Sequence, residues 1–162
     1  MSEQLIANLL SSVIGGLIGV CGARAMYSKQ NKDREKTASG ILYFELRYVE
    51  YYFKHERSSL NLRGFKEWQK AVITCSFLNE KQIECICYIF KNVDIFYEEF
   101  YDAKKNGTGG KDNLNSTMHI KNRMFKKSDN GQYTENYTED YKLVLDVLKK
   151  HMSKYGDKVK KF

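Results

Sequence analysis

Apolar positions recur along this chain at helical rather than strand spacing, and the first of them fall in a segment without charge. From Leu5 to Ala23, nineteen residues pass with no Asp, Glu, Lys or Arg. As a helix they extend roughly 28 Å, close to the roughly 30 Å hydrocarbon core of a bilayer. A secretory signal needs a basic start, and here the only preceding charge is Glu3. VCGA is a poor cleavage site, and Val20 stands where a lipoprotein site before Cys21 needs a small residue. The expectation is therefore an uncleaved transmembrane helix within residues 1–27. Arg24, Lys29, Lys32, Arg34 and Lys36 follow it. By the positive-inside rule, the N-terminus is expected outside a bacterial inner membrane and residues 28–162 in the cytoplasm.

Small residues give this helix a second property. Ser11, Gly15, Gly19 and Ala23 recur every four residues, with Asn8, Ser12 and Gly22 beside them. Leu9, Leu10, Val13, Ile14, Leu17, Ile18 and Val20 supply the bulk elsewhere. Each glycine costs a helix up to about 1 kcal/mol relative to alanine. Close approach of helices in lipid offsets that cost, and the alternative is the general abundance of glycine in membrane helices. Self-association is the reading adopted here. Asn8, Ser11 and Ser12 are candidates to face water in a central channel.

Beyond the membrane segment the periodicity predicts a helical bundle. Ile41, Leu42, Tyr48, Val49, Tyr52 and His55 form a stripe interrupted by Glu45, continuous with the first helix apart from Gly40. A short helix is expected around FKEWQKAVITC. In NEKQIECICYIFKNVDIFYEEFYDAKK, Asn79 and Gln82 have the spacing of a capping box. Ile83, Ile86, Cys87, Phe90, Val93, Phe96, Tyr97 and Phe100 then supply an apolar face, opposite an acidic ridge of Asp94, Glu98 and Asp102. Residues 106–133 read as an irregular basic insertion carrying Lys111, Lys121, Arg123, Lys126 and Lys127, with weak strand character around MHIKNRMF. The last helix places Tyr137, Tyr141, Val144, Leu148, His151 and Tyr155 on one stripe and stops at Gly156.

Composition sharpens this into an all-α fold class: one N-terminal transmembrane helix followed by a cytosolic helical bundle. The 162 residues include no proline, which long helices exclude and β-rich domains use at turns and edges. Twelve tyrosines and nine phenylalanines are enough for a packed core. The net charge of +7 suits anionic headgroups, RNA or an acidic protein, without choosing among them. Cys75, Cys85 and Cys87 lack zinc-ligand spacing and read as buried thiols, so no metal or cofactor is expected.

Catalytic chemistry is sparse. GTGG lies in a polar stretch with no strand before it, and there is no nucleophile elbow. His55, His119 and His151 are the side chains nearest neutral pKa. Metal-free RNA cleavage by an Arg-x4–6-His pair is not met. Arg47 and His55 are too far apart, and Val144, Leu145 and Asp146 hold the arginine positions before His151.

The single membrane helix, the small helical domain rich in tyrosine and lysine, and the late helix with a lone histidine resemble a known family. It is the small membrane accessory proteins of type VI-B CRISPR–Cas systems, divergent relatives of the HEPN helical nucleases. That resemblance implies a homo-oligomeric membrane pore strengthening antiviral defence alongside an RNA-guided RNase. Its partners would be further copies of the chain, the bilayer and the RNase or RNA, with no small-molecule substrate and no enzymatic activity. His151 is the one weak catalytic candidate it carries over, with Asp146 in place of arginine. The competing readings are a membrane-tethered HEPN-like RNase and a non-catalytic adaptor for an RNA or protein partner.

Overall fold

The computed structural model describes residues 3–54, 66–107 and 114–152, with side chains from Gly19 onward except Val20. The chain is mostly helical. Its helices are α1 (Glu3–Lys54), α2 (Trp68–Thr74), α3 (Glu80–Asn106), α4 (Asn115–Met124) and α5 (Glu139–His151). Between α4 and α5 lies a hairpin of β1 (Phe125–Lys127) and β2 (Tyr133–Tyr137). The chain divides into two compact units, Met1–Arg34 and Glu35–Phe162.

In the first unit the backbone is helical from Glu3. Gly19 and every residue from Cys21 to Arg34 are exposed. Among the described residues no helix is long and apolar enough to cross a membrane. Most of the uncharged run on which the membrane-span expectation rests, and Asn8, Ser11, Ser12 and Gly15 of the self-association expectation, have side chains outside the described ones.

In the second unit, the α1 residues from Glu35 onward pack on α3 and α5. Gly40 does not break the helix. A Cβ there would make only an ordinary 3.9 Å contact with Met152. The buried stripe is Ala38, Leu42, Leu46, Val49 and Phe53, at spacings of four, four, three and four. Leu42, Val49 and Tyr52 of the expected stripe are buried, but its other described positions are not. Ile41 is 43% exposed and Tyr48 only half-buried, while His55 lies outside the described residues. Glu50, next to Val49, is buried as well, as described below.

The long helix α3 follows its sequence pattern closely. The Asn79 side chain accepts from the Gln82 backbone N–H and the Gln82 side chain accepts from that of Asn79, both at 3.0 Å. Gly107 ends the helix in the left-handed region at φ 66°. Ile86, Ile89, Phe90, Val93 and Phe96 form the centre of the core. Phe96 takes Tyr52 and Phe53 edge-on at 5.7 and 5.1 Å, and Trp68 of α2 stacks on Phe90 at 5.6 Å. Asp94, Glu98 and Asp102 are exposed.

The basic insertion is more ordered than its composition implies. Residues 115–124 form helix α4 where weak strands were expected. The helix lacks a cap of its own, and Glu99 of α3 supplies one, accepting from the Ser116 N–H (3.2 Å) and hydroxyl (2.5 Å). Ile120 and Met124 seat α4 in the core. The final helix starts later than its periodicity predicts, because residues 133–137 pair with β1 instead. Phe125 faces Tyr137 and Lys127 faces Tyr133, with an irregularity between the pairs. Thr138 caps α5, accepting from the Tyr141 N–H at 3.3 Å while its hydroxyl donates to the Arg123 carbonyl at 2.6 Å. Tyr155, Gly156 and the basic tail lie outside the described residues.

Replacing Asn79 by Ala removes half of the reciprocal cap. The expected cost is about 1 kcal/mol of stability, read from the shift in a urea unfolding curve with its slope unchanged.

Candidate functional site

The positions proposed from the sequence fall into two groups. In the first unit, Gly19, Gly22 and Ala23 are exposed, as are Arg24, Lys29, Lys32 and Arg34. A Cβ added to Gly19 or Gly22 meets no atom within 4 Å. The helix of this chain by itself therefore has no steric need of either glycine.

In the second unit, His151 does not sit as an exposed acid–base group. Its ring lies flat on Phe77, with 3.8 Å between centroids and 7° between planes, while Asp146 is exposed on α5. The stack anchors the end of α5 on the turn before α3. Ser39 reinforces the same end of the bundle by donating to the Leu148 carbonyl at 2.6 Å.

Two polar clusters are invisible to spacing along the chain. The first surrounds Glu50, a carboxylate only 4% exposed. Arg47, one helical turn before it, donates at 2.6 Å. The Tyr137 hydroxyl of β2 donates at 2.8 Å, and the Tyr141 hydroxyl of α5 lies 3.3 Å from the carboxylate and 3.2 Å from the Leu46 carbonyl. Arg47 also reaches the Tyr137 hydroxyl at 2.5 Å. Partial burial works against the Arg47 charge, but Glu50 and the Tyr137 hydroxyl outweigh it and raise the pKa. Burial, followed by the Glu50 charge, pushes the Tyr141 phenol well above its ordinary range. The Arg47 guanidinium therefore stays charged and the Tyr141 phenol protonated around neutrality, and the group works as a brace. A buried carboxylate with no donor would be costly, so removing any one donor strains the rest.

The second cluster lies on the α3–α4 surface. The Tyr88 hydroxyl and His119 Nδ1 share a 3.0 Å hydrogen bond. The Arg123 guanidinium is 5.8 Å from the Tyr88 ring and 3.4 Å from Asp140. His119 and Arg123 thus meet the same tyrosine, one at its hydroxyl and the other at its ring. Tyr88 and Asp140 come from elements distant in sequence, so no local motif announces the group.

Cys75 and Cys85 are buried, Cys87 half-buried and Cys21 exposed, all as free thiols. Burial pushes Cys75 up to about 12, with the nearby Glu35 adding to it. Among the described residues, no group of three or more His, Cys, Asp or Glu side chains is placed to hold a metal. No known protein family, curated protein or solved structure matches this chain.

Replacing Tyr141 by Phe removes the one hydroxyl proton shared between the Leu46 carbonyl and a Glu50 oxygen. It is expected to cost about 1–3 kcal/mol in urea unfolding, with the helical circular dichroism retained. The Cys75 thiol binds its proton more tightly folded than unfolded, so its contribution is complete below pH 9 and declines as the pH rises from 9 towards 12. Urea midpoints should accordingly fall between those pH values and be flat in this respect below them. A midpoint constant up to pH 11 contradicts the assignment.

Proposed function

We propose that this chain is a membrane-embedded homo-oligomer, a pore, that perturbs the bacterial inner membrane in antiviral defence. The observation that carries this reading is the open space at Gly19 and Gly22. Several glycines in one helix lower its stability, and among the described residues nothing packs on Gly19 or Gly22 to repay that loss. Close packing against the same face of another copy does, and such packing is strongest where lipid surrounds the helix. The uncharged run from Leu5 to Ala23 supplies the span, and exposed Arg24, Lys29, Lys32 and Arg34 supply its cytoplasmic flank. Residues 28–162 form the cytosolic part in this scheme, a divergent HEPN-like bundle that sets subunit number. The link to CRISPR-associated defence, and to an RNA-guided RNase as partner, rests on the family resemblance.

The flat stack of His151 on Phe77 and the exposed position of Asp146 weigh against His151 as a nuclease base. A non-enzymatic role follows from this reading.

The test is the mass of the full-length protein in detergent, by light scattering, compared with Gly19→Leu and Gly15→Leu. Wild type is expected as a discrete ring-sized assembly that releases ions from liposomes. The leucine variants should insert in membranes but fail to assemble, with ion release down by about tenfold or more. A wild-type monomer, or leucine variants that assemble normally, overturns the proposal.

A further inference from the structure

Helix α1 carries a second apolar stripe, on the side away from the core. Ile41, Phe44 and Tyr51 are 43%, 41% and 50% exposed, and Tyr48 between them is half-buried. Their spacings are three, four and three residues, the repeat of a coiled-coil seam. The bundle itself cannot bury this stripe by turning the helix, because Ala38, Leu42, Leu46, Val49 and Phe53 already fill the opposite, core-facing side.

The stripe is also shaped to receive a helix. Phe44, Glu45, Arg47 and Tyr48 line a shallow, open hollow of about 450 Å³. In coiled-coil packing each apolar side chain of one helix enters a hole made by four residues of the next. Tyr43 stands edge-on to Phe44 at 5.6 Å, which steadies one wall of the hollow.

Charge selects how a second helix lies. Glu45 is on one flank of the stripe and Arg47 on the other. Arg47 is bound to Glu50 at 2.6 Å, yet 43% of its side chain remains exposed. In a parallel pair of α1 helices each flank faces the opposite flank of the neighbour, so Arg47 of each copy comes alongside Glu45 of the other. In an antiparallel pair like flanks meet, which costs free energy.

We propose that Ile41, Phe44, Tyr48 and Tyr51 form a docking surface for the same stripe on a second copy of this chain, with the two α1 helices parallel. The exposed side-chain area is on the order of 300 Å² in each copy. That is well short of the roughly 800 Å² per partner of a standard interface, so a freely diffusing protein would be held poorly. A copy already inserted in the same membrane needs less, because tethering raises its effective concentration. The inference rests on the homo-oligomer proposed above for that tether, and it adds the contact through which the folded domains pair.

The experiment places the photo-crosslinking residue p-benzoylphenylalanine at position 44 of the full-length protein in liposomes. Position 143 on α5 is the control, since Leu143 is apolar and 55% exposed. Irradiation at 44 is expected to give a two-copy adduct, mapped by mass spectrometry to residues 41–51 of the second copy, in at least about tenfold the yield from 143. Glu45→Lys, with its helical circular dichroism retained, should lower that yield about threefold or more, since it sets two cations side by side in a parallel pair. An antiparallel pair would be indifferent to it. Light scattering on the same protein in detergent separates this inference from the one it rests on. An assembly that gives no two-copy adduct at 44 overturns the pairing and leaves the oligomer standing, whereas a monomer overturns both. An adduct within one copy or to lipid, equal yields from 44 and 143, or a yield unchanged by Glu45→Lys also overturns the pairing.

Discussion

The bundle is organised around one buried charge. Glu50 sits on the core-facing side of α1, and a carboxylate there is tolerated only if donors replace the water it has lost. Two of its three donors come from β2 and α5, 87 and 91 residues further along the chain. The carboxylate therefore fixes where the hairpin and the last helix stand against α1. Apolar contact alone tolerates sliding by a fraction of a turn. A hydrogen bond to a particular oxygen does not. The same requirement explains why Tyr137 leaves the helical stripe its sequence spacing predicts. Extended backbone at 133–137 brings its hydroxyl to Glu50, and α5 begins only after the Thr138 cap.

This brace also shows what sequence reading can and cannot reach. The capping box at Asn79 and the broad apolar face of α3 are encoded within a few residues, and the structure contains both. The same is true of the short α2. The face of α1 was legible only in part: Leu42, Val49 and Tyr52 are buried as their spacing implies, but Leu46 and Phe53 are buried in place of Ile41 and Tyr48. Nothing local marks Glu50 as a core residue, because its burial depends on partners from the far end of the chain. Residues 115–124 were obscured for a related reason. Two of the four buried positions of α4 are Ser116 and Thr117, and its cap is borrowed from Glu99. Neither apolar periodicity nor a local cap marks that helix.

The candidate sites divide along the same line. Gly19, Gly22 and the basic flank can be listed by eye, since they follow from composition and spacing within one helix. The role of His151 could not be read this way, because Phe77 decides whether its ring is available. Nor could the pairing of His119 with Tyr88 or the gathering of Lys121 and Lys127 around Tyr133. Each of these depends on α3, α4 and the hairpin meeting at particular registers. The lysines that read as a diffuse basic arm thus acquire a definite arrangement only once the arm has folded.

Tyrosine provides that arrangement repeatedly, which gives physical content to its abundance in the composition. Tyr141 is wholly buried yet hydrogen-bonded, so its ring fills the core while its hydroxyl serves the brace. Tyr137 stands edge-on to it at 5.4 Å and carries the contact from core to hairpin. At the hairpin's other end Tyr133 uses its face rather than its edge, with the Lys121 and Lys127 ammonium groups 5.9 and 5.1 Å from its centroid. Phenylalanine would preserve most of the packing at all three positions and lose the polar tip at each. The chain thus uses one residue type to solve two problems: burying enough ring surface to stabilise a small bundle, and orienting charges that a purely apolar core would leave unplaced.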